Sequence, residues 1–112
     1  MLAKNGKYNE CIEIMEEIVS IKKELYGMDH PEFQKSTDKL CEYLNLSAMI
    51  FLQKERFEQS LDQLRKAELV ARNSLQFKST TYNNLACYYR RTGKIRTALT
   101  YLIQALELEL KI

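Results

Sequence analysis

Thr92-Gly93-Lys94-Ile95-Arg96-Thr97-Ala98 reads as a turn, an apolar residue, two polar residues and a small one, and the chain carries that pattern three times. Asn5-Gly6-Lys7-Tyr8-Asn9-Glu10-Cys11 is a second copy, and Lys54-Glu55-Arg56-Phe57-Glu58-Gln59-Ser60 a weaker third. The small residues fall at positions 11, 60 and 98, so the copies are 49 and 38 residues apart. A recurrence on that scale marks one supersecondary unit used repeatedly. Such a unit cannot bury its apolar face alone, so units stack on one another.

The units are helical. With Gly 3 and Pro 1 in 112 residues, the chain lacks the turn formers that an all-β fold needs. Helical spacing of Ile12, Met15, Ile18, Val19 and Leu25 predicts a first helix over about 9–26, stopped by Gly27. Pro31 opens a second helix, with Asp29 or His30 as its cap, which runs to about Lys54 through Phe33, Leu40, Tyr43, Leu44, Ser47, Ala48 and Phe51. A break at Glu55-Arg56 precedes a third helix over about 57–75, expected to bury Leu61, Leu64, Ala67, Leu69 and Ala71. Ser79, Thr80 and Thr81 are cap-type residues that predict the start of a fourth helix, ending at Gly93. A fifth runs from about Ile95 through Ala98, Leu102, Ala105 and Leu106 to the C-terminus.

Tyr82, Leu85, Ala86, Tyr89, Gly93, Ala98, Leu102 and Ala105 resemble the pattern of the tetratricopeptide repeat (TPR) family. Leu44, Ala48, Phe51, Phe57, Ser60, Leu64 and Ala67 follow the same order, with Ser47 where Leu is usual and Glu55 where Gly is usual. The first copy keeps only Gly6, Tyr8, Cys11 and Met15. Lys22-Lys23-Glu24-Leu25-Tyr26-Gly27-Met28-Asp29-His30-Pro31 is similar to the linker of the kinesin-light-chain type. Tyr82-Asn83-Asn84-Leu85-Ala86-Cys87-Tyr88-Tyr89 is similar to its leading helix. The resemblance implies an all-α, right-handed helix-turn-helix solenoid of about two and a half repeats. It forms one domain over 1–112, with a partial unit at 1–27 and units at 31–76 and 79–112.

Physics alone supports the same architecture. Ala48, Ser60, Ala67, Ala86, Ala98 and Ala105 let helices approach to roughly 8–10 Å. Phe51, Phe57, Leu64, Tyr89 and Leu102 fill the gaps between pairs. The last helix carries Leu99, Ile103, Leu106, Leu108, Leu110 and Ile112 with no solvating helix after it. Stacked arrays need polar ends, so the expectation is a longer array or self-association through that helix.

Most chemistry is disfavoured. His30 stands alone in a helix start, and a catalytic histidine needs a nucleophile or carboxylate partner. Cys11, Cys41 and Cys87 form no CxxC pair, so neither zinc nor a disulfide framework is expected, and a reducing, intracellular setting is. Gly6, Gly27 and Gly93 are isolated, which excludes a glycine-rich phosphate loop. No cofactor is expected. With 17 basic against 15 acidic residues, a nucleic-acid partner has little electrostatic support, even though Arg90, Arg91, Lys94 and Arg96 lie close in sequence. No apolar run approaches the roughly 18 residues of a membrane span.

What remains is protein binding. If Tyr82, Leu85, Ala86 and Tyr89 face the core, Asn83, Cys87 and Arg90 or Arg91 share another stripe of the same helix. The matching stripe of the second helix is Glu42, Asn45, Met49 and Gln53. Asparagine amides at Asn45, Asn83 and Asn84 suit an extended peptide backbone, and arginines suit a carboxylate. The resemblance implies that such residues line a concave peptide-binding face: Glu42, Asn45, Met49, Gln53, Asn83, Asn84, Cys87, Arg90 and Arg91. The expected function is a non-enzymatic interaction module for an extended segment of a protein partner. The alternative is a scaffold that associates through its exposed terminal helices.

Overall fold

The computed structural model describes residues 2–71 and 74–112. Five helices follow in order: α1 (Leu2–Tyr26), α2 (Pro31–Gln53), α3 (Phe57–Val70), α4 (Leu75–Arg91) and α5 (Ile95–Glu109). Among the described residues there is no strand. Each helix packs on the next, and α2 also packs directly on α4. The result is a slab of 43 × 37 × 16 Å.

The connections follow from local chemistry. Gly27 ends α1 at φ +85°, and its N–H bonds the Lys23 carbonyl at 3.0 Å. A Cβ there would meet nothing within 4 Å, so the backbone conformation alone calls for glycine. His30 caps α2: its Nδ1 accepts from the Glu32 N–H at 3.1 Å, while its ring stacks on Tyr26 at 4.4 Å. The two later turns share one design. Arg56 N–H bonds the Phe51 carbonyl at 2.9 Å and Lys94 N–H bonds the Tyr89 carbonyl at 2.8 Å. The residue before each has positive φ, +85° at Gly93 and +61° at Glu55.

Three sequence expectations are corrected. α1 begins at Leu2 rather than near Asn9, so Asn5-Gly6-Lys7 is helix and not a turn. A lone glycine costs a helix about 1 kcal/mol relative to alanine, which weakens the helix without ending it. The fourth helix starts at Leu75, not at Ser79–Thr81, and the third stops at Val70, not near Leu75. Ser74 is the cap, its Oγ accepting from the Phe77 N–H at 3.4 Å. Thr80 and Thr81 instead donate back to the carbonyls of Gln76 and Phe77, a mid-helix arrangement. Leu69, expected to be buried, is 75% exposed.

Two apolar clusters hold the slab. Ile12, Leu40, Cys41, Leu44, Ala67 and Ala71 join α1 and α2 to the end of α3. Ala48, Leu52, Leu64, Leu85, Tyr88, Tyr89 and Ala98 join α2 and α3 to α4 and α5. Leu44, Leu64 and Leu85 are fully buried, and such side chains contribute roughly 1.5–3 kcal/mol each. Small residues stand at the close approaches. The Ser60 hydroxyl donates to the Ala48 carbonyl at 2.8 Å between α3 and α2. The Ser79 hydroxyl donates to the Ala105 carbonyl at 3.3 Å between α4 and α5. Arg65 of α3 braces the outer side, donating to Tyr89 Oη at 2.7 Å and Tyr101 Oη at 3.0 Å.

Candidate functional site

Direct packing of α2 on α4 sets the site. Asn45 is 4% exposed, and its amide nitrogen donates to the Cys41 carbonyl and to Thr81 Oγ1, both at 3.0 Å. Its oxygen accepts from Asn84 Nδ2 at 2.9 Å. Cys41 Sγ lies 3.7 Å from Thr81 Oγ1, and burial pushes its thiol up to about 11. Thiolate chemistry is thereby suppressed at neutral pH. A polar group buried this deeply must be hydrogen-bonded, so this chain of side chains fixes how the two helices meet.

Above that network lies a cleft of about 270 Å³. Glu42, Asn45, Leu46 and Met49 of α2 line one wall, and Phe77, Thr80 and Asn84 of α4 the other. Leu46, Met49 and Phe77 make it apolar, Asn84 places an amide at its edge, and Glu42 supplies one exposed acid.

The nine sequence-derived residues divide between locations. Glu42, Asn45, Met49 and Asn84 come together in this cleft. Gln53 and Arg91 do not line it and are exposed at the C-terminal ends of α2 and α4. They continue its stripes, Gln53 four residues after Met49 and Arg91 seven after Asn84. Cys87 and Arg90 line a separate cleft of about 120 Å³ with Ala86, Ala98 and Leu102. Asn83 points to α5, its Nδ2 donating to Glu109 Oε1 at 3.2 Å. Sequence reasoning missed Leu46, Phe77 and Thr80. Leu46 lies one turn after Glu42, so the α2 stripe contained the signal. Phe77 and Thr80 were hidden by the misplaced start of α4.

The tetratricopeptide repeat family matches residues 39–109, more than half of the chain, and a second model of the same repeat matches residues 1–32. The chain belongs to the tetratricopeptide repeat family. The kinesin-light-chain-like linker at Lys22–Pro31 is consistent with these matches. A clustered mitochondria protein homolog of Ajellomyces capsulatus is 30% identical over 100 residues, covering 86% of this chain and 8% of the relative. Homologs of the same description from Aspergillus niger and Coccidioides immitis are 29% identical over 100 residues, covering 86% of this chain and 7% of each relative. The chain therefore spans less than a tenth of the length of these curated relatives. No solved structure matches it. TPR arrays are in general non-catalytic scaffolds for protein–protein contacts. No described helix is long and apolar enough to cross a membrane.

Proposed function

We propose that this TPR chain is a non-enzymatic, intracellular interaction module that binds an extended segment of a partner protein along the face formed by α2 and α4. The observation that carries this reading is the cleft in which Leu46, Met49 and Phe77 stand beside an Asn84 amide already anchored by Asn45. An apolar side chain of the ligand enters the cleft, and Asn84 meets its backbone. Arg91 lies seven residues beyond Asn84, roughly 10 Å along the helix axis. That is about three residues of an extended chain. A suitable ligand thus carries a carboxylate about three residues beyond its apolar anchor, while Glu42 favours a basic group at the other end. Asn83, Cys87 and Arg90 belong to a second contact on the α5 side of α4. The test is selection of peptides from a random library, followed by fluorescence anisotropy. Leu46→Glu and Met49→Glu should each weaken a selected peptide at least about tenfold. Unchanged affinity in both refutes the cleft.

A second reading, a scaffold that associates through its terminal helices, is favoured by one observation. Leu99, Ile103, Leu106 and Leu110 are exposed along one stripe of α5. An apolar stripe of this kind is a surface on which another helix or another molecule can dock. Leu106→Lys with Leu110→Lys should abolish any association at this face while leaving the peptide affinity of the α2–α4 cleft intact.

A further inference from the structure

On α1, Cys11, Ile14, Ile18, Ile21 and Leu25 recur at alternating intervals of three and four residues, the seam of a coiled coil. This seam is not the face that α1 uses for the core. Among the described residues of α1, Ile12 is the buried one, and Met15 and Val19 pack against the same cluster; Ile12 and Val19 lie one position on from Cys11 and Ile18. Ile14, Ile21 and Leu25 are 56%, 55% and 69% exposed, and Cys11 and Ile18 are half-buried.

The edges of the seam differ in charge. Glu10, Glu17 and Glu24 follow one edge at seven-residue intervals, all exposed, with Glu13 behind them. The other edge carries Met15 and Lys22, which with Ile18, Lys35, Ser36 and Lys39 line a groove of about 420 Å³ between α1 and α2. Every charged residue lining that groove is basic. Lys22 reaches Glu32 at 3.2 Å, and Lys39 lies 4.0 Å from Glu42.

A face with an acidic edge and a basic edge is complementary to itself in one orientation. Two copies related by a two-fold axis along the helices, with α1 parallel to α1, set the acidic edge of each over the basic edge of the other. The antiparallel arrangement sets acid on acid. In the parallel arrangement the seam pairs residues five apart across the interface, which joins Glu17 of one copy to Lys22 of the other, twice by symmetry. We propose that a second copy of this chain docks on α1 in this parallel, two-fold manner. The seam is only about two heptads long. However, α2 already holds α1 in helical form, so association bears no helix-nucleation cost. This goes beyond both readings above: it places self-association on α1 instead of α5, and it is independent of the α2–α4 cleft.

Cys11 gives a direct test. In a parallel two-fold, Cys11 faces Cys11 of the other copy, whereas an antiparallel seam centred on Ile18 sets it opposite Leu25. Treating the full chain with diamide, which takes up the two hydrogens as the S–S bond forms, should give a covalent dimer. Mass mapping should place the bridge at Cys11–Cys11. By sedimentation, Glu17→Lys and Lys22→Glu should each weaken self-association roughly tenfold, since each reverses two charge pairs. An equimolar mixture of the two variants should restore it, because both cross-pairs are then of opposite sign. Lys22→Glu also loses Glu32, so circular dichroism must show a wild-type helix signal. If it does not, Ile14→Lys with Ile21→Lys, both at exposed positions, should give a folded monomer. A monomeric wild-type chain up to millimolar concentration, a bridge mapped to Cys87, or a mixture no better than its components overturns the proposal. So does dimerisation that survives Ile14→Lys/Ile21→Lys but is lost in Leu106→Lys/Leu110→Lys.

Discussion

Asn84 of α4 donates its amide to the side-chain oxygen of Asn45 of α2 at 2.9 Å, and Asn45 is itself buried. The residue that edges the cleft is therefore held by one that also bonds Thr81 and the Cys41 backbone. Asn45→Ala leaves several of these groups without partners. It should destabilise the chain by roughly 2–3 kcal/mol, read as a lower urea midpoint. A change under about 0.5 kcal/mol would mean that water replaces the amide.

Glu55 stands at φ +61° where the matching turn has Gly93 at +85°. A side chain in that region is strained, and glycine is not. Glu55→Gly should raise stability by up to about 1 kcal/mol, less the added freedom of the unfolded chain. Gly93→Ala should lower it by a similar amount. Thermal melts of the two variants should move in opposite directions, and a shared direction would refute the equivalence of the turns.

Ala48 and Ala86 are both buried small residues, but their surroundings differ. Ala48 is fully buried and its carbonyl accepts from Ser60, whereas Ala86 borders the 120 Å³ cleft beside Leu102. Ala48→Leu should cost roughly 1–3 kcal/mol by overpacking. Ala86→Leu has room to turn toward the cleft and should cost less. Chemical denaturation of both variants checks the order, and a larger loss at Ala86 would contradict it.

Cys41 carries a pH dependence. Burial raises its thiol from the ordinary value near 9 to about 11 in the fold. The unfolded chain therefore releases that proton first as pH rises. The stabilising contribution is full below about pH 9 and is lost as pH approaches 11. Tyr82 and Tyr88, whose hydroxyls burial also raises, act in the same direction. The urea midpoint of the wild type should fall between about pH 8 and about pH 10.5, and Cys41→Ala should fall less steeply. Iodoacetamide should label Cys11 and Cys87 well before Cys41.

The helical units were legible because Gly27, Pro31 and Gly93 are strong local signals and the small residues at 48, 60, 86, 98 and 105 mark close helix crossings. The start of α4 was not legible. Ser74 and Ser79 are the same residue type, and only the packing of Ser79 and Thr81 against α5 and α2 assigns those two to the helix interior. The extent of α1 was obscured for a related reason, since a glycine allows a turn without requiring one. Stripe arithmetic put Glu42, Asn45 and Met49 together on α2, and they share one wall of the cleft, but on α4 it ran through Asn83, Cys87 and Arg90 or Arg91, whereas the cleft is edged by Asn84. Choosing the right stripe needs the rotation of α4 about its axis, which is set by contacts with α2 and α5 far away in sequence.

A partner segment seated in the cleft between α2 and α4 leaves a direct signature in solution. The most direct measurement is the change in amide and side-chain NMR shifts when a library-selected peptide is added to the full chain. A segment bound there should give the largest shifts at Leu46, Met49, Phe77, Thr80 and Asn84, with smaller ones at Gln53 and Arg91. Shifts confined to the exposed stripes of α1 or α5, with those cleft residues unmoved, would contradict it.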